Sequence, residues 1–122
     1  MTTQAESIDL LLPWPPSLNG YYRMHGGRML ISEKGRHYRS EVIVEVLQVG
    51  SPRITGRLSL RLSVFPPDDR NRDLDNLAKG LLDALQHANV YDSDSQIDRL
   101  LIERCSIVEG GAVKVSISEI TT

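Results

Sequence analysis

Leu58, Leu60, Leu62 and Val64 alternate with Arg57, Ser59, Arg61 and Ser63. Successive side chains on an extended chain project to opposite faces, so this period of two predicts a half-buried strand over 56–65. Val113, Val115 and Ile117 alternate with Lys114, Ser116 and Ser118 in the same way and predict a last strand after the Gly110-Gly111 turn. Residues 8–12 read as a short strand, stopped by the rigid run Pro13-Trp14-Pro15-Pro16. Residues 97–108 predict a longer strand, bent or bulged. Two segments follow helical spacing instead. Tyr38, Val42, Val46 and Val49, joined by Ile43 and Leu47, form the apolar stripe of a helix over 33–49. Ser32 is its N-cap, and Gly50-Ser51-Pro52 ends it. Leu74, Leu77 or Ala78, Leu81, Leu82 and Leu85 predict a second helix running from Asp75, read as its N-cap, to His87. Asn19-Gly20 marks a turn, and 21–31 reads as a hairpin with Gly26-Gly27 at its tip. Residues 1–7 are polar and read as a loose end. The order is strand, hairpin, helix, strand, helix, strand, strand. It predicts a small single domain over 1–122 of the α/β (α+β) class, a mixed sheet packed against helices.

Composition narrows the setting. A chain of 122 residues with 40% hydrophobic content suits one globular core. The single cysteine, Cys105, excludes an internal disulfide framework and is expected to be a buried structural thiol in a reducing compartment, the cytoplasm. No apolar run is long enough for a membrane span, and the start MTTQAESIDL has neither a basic run nor an apolar core of a signal peptide. The net charge of −2 is unevenly spread. Between 20 and 39, Arg23, Arg28, Lys34, Arg36 and Arg39 face Glu33 alone, whereas the chain beyond Asp83 is mostly acidic. A basic segment facing an acidic site suits a phosphodiester. Tyr21 and Tyr22 lie among these arginines and could stack bases; a plain surface hairpin is the other reading. Trp14 reads as packing.

The candidate chemistry concentrates in DDRNRDLDNLAKGLLDAL, from Asp68 onward. If Asp73 and Asp75 lie in an extended segment, their carboxylates share a face and can share an ion. Unrelieved, such a pair resists full ionisation; a hard divalent cation, Mg²⁺ best, keeps both charged. Lys79 stands four residues from both Asp75 and Asp83. It can pair with either or reach a phosphate oxygen. Arg70 and Arg72 can fork onto backbone phosphates, and Lys34, Arg36, His37 and Arg39 form a second such patch. The competing reading is a polar loop with a helix cap.

A second acidic run, Asp92-Ser93-Asp94-Ser95-Gln96-Ile97-Asp98, lacks the sixth-position glycine of a calcium-binding EF-hand loop, because Ile97 sits there. It is better placed to bring Asp92 or Asp94 back beside Asp73 and Asp75, where three carboxylates could position and activate a water. No GKS or GKT follows Gly26-Gly27, and GxSxG, HExxH and CxxC are absent, so acyl and hydride transfer have no support.

The runs PWPPSLNGYYR, SEKGRHYR, RDLDNLAKGLLDAL and the DSQ after Tyr91 resemble, in order and over nearly the whole chain, the RusA family of Holliday-junction resolvases, small endodeoxyribonucleases common in bacteria and prophages. The resemblance implies a homodimer with a RusA-like fold that makes paired symmetric nicks in four-way DNA. It implies three Mg²⁺-binding catalytic aspartates, matched by Asp73, Asp75 and Asp94, with Mn²⁺ as a substitute ion, and an essential lysine, matched by Lys79. Tyr22, Arg23, Arg28, Lys34, Arg36, Arg39, Arg70 and Arg72 are the candidate DNA contacts. Asp68 and Asp69 stand where the family carries denser positive charge, and Asp92 is an extra acid. The alternative is a non-catalytic, structure-selective nucleic-acid-binding module; a third reading is an interaction protein whose acids are only solvated loops.

Overall fold

The structure is a computed structural model that describes residues 3–4, as backbone, and residues 7–121. In chain order its elements are β1 (Thr3–Gln4), β2 (Ser7–Leu12), α1 (Leu18–Tyr21), β3 (Tyr22–His25), β4 (Arg28–Ile31), α2 (Glu33–Gln48), β5 (Pro52–Arg53), β6 (Leu58–Phe65), α3 (Asp75–His87), a 3₁₀ turn (Asp94–Gln96), β7 (Ile97–Arg104) and β8 (Ala112–Glu119). Of the segment read as a loose end, residues 1, 2, 5 and 6 lie outside the described residues, while Thr3 and Gln4 pair with Pro52 and Arg53.

The main sheet has the order β2-β8-β6-β7. β6 pairs with β7 in parallel and with β8 antiparallel, so the sheet is mixed, as the order of elements predicted. Register explains the core. Leu10, Val115 and Leu62 stand in one cross-strand row, and the same rows carry Ile8 with Ile117 and Leu12 with Val113. All are buried against Tyr38, Val42 and Val46 of α2 and Leu77, Leu81 and Leu85 of α3. Burying each such side chain contributes about 1.5–3 kcal/mol. Asp98 is the extra residue of a bulge, since Leu58 pairs with Ile97 but Ser59 with Arg99. No helix among the described residues is long and apolar enough to cross a membrane.

Four local expectations are corrected. α2 ends at Gln48, and Leu47 and Val49 are 61% and 50% exposed, so the buried stripe ends at Val46. β7 stops at Arg104; the chain then follows the end of β6, with the Cys105 amide donating to the Val64 carbonyl at 2.8 Å. Cys105 is therefore a half-buried loop residue and not a core thiol. Tyr21 does not belong to the hairpin. It closes α1 and is fully buried. It fits because two glycines make room: a Cβ on Gly35 would come within 2.4 Å of the Tyr21 carbonyl oxygen, and one on Gly80 within 2.8 Å of its ring. One aromatic thus pins the start of the hairpin to both long helices.

Candidate active site

Pro66 and Pro67 end β6, the loop 68–74 follows, and α3 then begins at Asp75 with Leu77, Leu81 and Leu85 buried in the core. The opposite requirement falls on the residues between. Asp75, Lys79 and Asp83 recur at spacing four and so share one side of the helix, exposed at Asp75 and Lys79 and largely covered at Asp83. Leu74, not Asp75, occupies the cap position; it is helical (φ −62°, ψ −37°) and makes no side-chain cap bond. Two corrections follow. Asp73 and Asp75 are not an extended pair, and the Asp75 carboxylate is not spent on capping. It lies in the first turn, where the helix dipole favours negative charge.

Lys79 resolves its choice of partner in favour of Asp83, donating to Oδ1 at 3.0 Å. The Asp83 side chain is only 17% exposed. Burial and, after it, the charge of Asp94 push its carboxyl up to about 6. Asp94 reaches this place through side chains the sequence reading passed over. Its amide donates to Gln86 Oε1 of α3 at 3.2 Å. Gln96 accepts from the amides of Asp92 and Ser93 at 2.8 and 3.0 Å and donates to the Ile54 and Gly56 carbonyls, fixing the loop. Tyr91, fully buried, donates its hydroxyl to the Leu82 carbonyl at 2.8 Å. The Asp94 Oδ1 atom is buried and has no hydrogen-bond partner among the described residues. Asp92, by contrast, is paired with Arg53.

Asp73 lines a different feature. A cleft of about 750 Å³ is bounded by Asp73, Asn76, Lys34, Arg70, Arg72, Trp14 and neighbours. Its arginines are only partly free. Asp68 accepts from Arg72 at 2.8 Å and from Arg70 at 3.1 Å, which holds its carboxyl well below the usual carboxylate range. Arg72 also lies over the Trp14 ring, 5.6 Å from its centroid, and is 16% exposed. Asp68 is therefore a clamp that orders the loop, not loose negative charge on the surface.

The other proposed DNA contacts divide. Arg23 and Arg28 are exposed on the hairpin, and Lys34 and Arg36 on the first turns of α2. Arg39 is half-buried and bonds Tyr21 Oη through Nε at 3.0 Å. The Tyr22 ring lies 4.7 Å from that of Tyr21, and its hydroxyl is buried without a partner among the described residues, so packing and not base stacking occupies it.

The structure brings Asp94, Asp83 and Lys79 together and sets Asp75 on the same face of α3. It does not gather three metal-ligating side chains into one group among the described residues. The donor set nevertheless suits a hard divalent ion. Asp73 and Asp75 have no side-chain partner among the described residues, and Asp94 holds an orphaned buried oxygen.

Carboxylates and a lysine along one helix, next to a cleft lined by Lys34, Arg70, Arg72 and Asp73, are the equipment of a small phosphodiester-cleaving α+β domain. Comparison with known proteins is more specific. The family model described as Endodeoxyribonuclease RusA matches residues 13–118, and the chain belongs to that family. It is 41% identical over 113 residues to the crossover junction endodeoxyribonuclease rusA of Enterobacteria phage HK97, covering 92% of this chain and 94% of that protein. The proteins of the same name from Shigella sonnei and Escherichia coli K12 are 36% identical over 117 residues, covering 93% of this chain and 95% of theirs.

Proposed function

We propose that this chain is a divalent-metal-dependent endodeoxyribonuclease that resolves four-way DNA junctions, as the names of its relatives describe for them. The observation that carries the reading is the face of α3: Asp75, Lys79 and Asp83 in line, with Asp94 seated against them and its Oδ1 unsatisfied. Asp73, Asp75 and Asp94 would hold the ion, Mg²⁺ or in its place Mn²⁺. Once bound there, such an ion lowers the pKa of a water and stabilises charge at phosphorus.

The chain's own groups do the rest. Lys34, Arg70 and Asn76 line the cleft and grip the scissile strand on the Asp73 side. Lys79 is 53% exposed on a flexible stem, so it can leave Asp83 for a phosphoryl oxygen and neutralise developing charge. Asp83 is then its resting counter-ion. Two copies acting as a homodimer would place symmetric nicks across the junction. A lone Cys105 suits the reducing cytoplasm.

Labelled four-way DNA, incubated with the purified chain across an Mg²⁺ titration, tests this. Paired nicks that disappear with chelator are expected. Salt-sensitive binding without nicking at any metal concentration would favour the non-catalytic module and defeat the nuclease reading.

A further inference from the structure

The hairpin β3–β4 is the arm that the candidate site leaves unused. Every residue from 23 to 29 is exposed. Directly paired residues on neighbouring strands share a face. Tyr22 stands opposite Ile31, and both pack on the core. One step outward on the same face, Met24 stands opposite Met29, and the two are 65% and 59% exposed. The apolar face therefore continues past the body of the protein and ends at Gly26 and Gly27, whose φ values of 59° and 78° make a tight reversal that glycine favours. Of the three methionines in the chain, these are the two other than Met1.

The reverse face carries Arg23 and His25, with Arg28 at the turn. No carboxylate occurs between residues 18 and 32. The foot of the arm is fixed. The Ser32 amide and hydroxyl each donate to the Tyr21 carbonyl at 2.9 Å, and the Tyr21 ring rests against Gly80, the residue after Lys79. The foot of the arm is thus anchored through Tyr21 on the buried side of α3.

A single exposed methionine needs no explanation. A facing pair at the end of a carboxylate-free, positively charged arm fits one occupant: an opened base step flanked by phosphates. Methionine is unbranched and polarizable and adapts to an irregular apolar gap. Apolar side chains inserted between base steps unstack them, and the discontinuity at a branch makes opening cheapest there. We propose that Met24 and Met29 enter the branch point of four-way DNA as a wedge, while Arg23 and Arg28 hold the flanking phosphates. The arm then selects branched over linear DNA. This rests on the junction-nuclease reading.

The test uses the full chain, a chelator, and a four-way junction with 2-aminopurine at the branch. Wild type is expected to brighten the probe. Replacing both residues, Met24→Ser with Met29→Ser, is expected to abolish the brightening and cut the preference for junction over linear duplex about tenfold. The pair Met24→Leu with Met29→Leu is expected to keep both. Metal-dependent nicking by wild type without any brightening overturns the wedge alone. Failure of wild type to bind the junction overturns it together with the nuclease reading. A serine variant that keeps the signal overturns it too, as does one that converts a dimer to a monomer, because the methionines would then be covered by a second copy.

Discussion

The carboxylates at the two ends of α3 live in different surroundings. At the start, Asp73 and Asp75 lie open beside a cleft that contains Lys34 and Arg70, and no side chain among the described residues pairs with them. Two turns on, Asp83 is largely buried, bound to Lys79 and close enough to Asp94 that burial and its neighbour's charge raise its proton affinity. Negative charge at the first end is left for something from outside. At the second it is compensated from within, by a lysine or by a proton. Lys79 stands between and is the one group able to serve either end. A helix that only capped and solvated its acids would have no reason to bury one of them beside another.

The largest effect expected concerns the open end. Asp75→Asn should reduce junction nicking by at least about 100-fold, the scale of losing one charge-stabilising group, while junction binding persists or strengthens because negative charge near phosphate is removed. Single-turnover nicking and gel-shift titration on the same junction separate the two quantities; equal losses of both would erase the distinction between the ends. Lys79→Ala should cost about 10- to 100-fold in nicking. It should change stability by no more than about 1 kcal/mol at pH 6 or below, because Lys79 is 53% exposed and Asp83, whose proton affinity burial raises, takes up a proton once the lysine is gone. A large drop in denaturation midpoint would make Lys79 structural.

Gly35→Ala tests the clamp by which Tyr21 ties the start of the hairpin to α2. The added methyl meets a backbone oxygen at 2.4 Å and should destabilise by about 1–3 kcal/mol in urea denaturation. A neutral result would mean that Tyr21 is not tightly held.

The smallest effect concerns the buried end. Asp83 is raised to about 6, so the folded chain holds its proton more tightly than the unfolded chain. Its contribution to stability is full below the ordinary carboxylate value near pH 4 and is lost as pH rises through about 6. In metal-free buffer, wild type should therefore lose a few degrees of Tm relative to Asp83→Asn between about pH 4 and 7. A constant difference, or one of opposite sign, would place the Asp83 charge in water.

Local periodicity carried most of the fold. The leucines at 77, 81 and 85 located α3, whose cap falls one residue before the Asp75 expected, the alternation at 58–64 located β6, and Ser32 caps α2 through a 3.0 Å bond from the Gly35 amide. Spacing singled out Asp73, Asp75 and Lys79 and left Asp92 or Asp94 open; the resemblance chose Asp94. Pairings between distant parts of the chain stayed hidden, because nothing in the spacing announces them. Asp92 meets Arg53, and Gln96 ties its loop to Ile54 and Gly56. Tyr21 beside arginines looks like a base-stacking residue until two glycines far along the chain are seen to accommodate it. Asp68 looked like a penalty for DNA binding because a sequence shows its charge but not the two guanidiniums that neutralise it. Asp83 carried one usable signal, a position four residues beyond Lys79.

Whether the open and buried ends act on one ion is decided by Mn²⁺ titration followed by electron paramagnetic resonance, comparing wild type with Asp75→Asn and Asp94→Asn. Each substitution should weaken the same binding event at least about tenfold. If Asp94→Asn binds Mn²⁺ as tightly as wild type does, Asp94 belongs to the buried ensemble alone and the shared metal site does not exist.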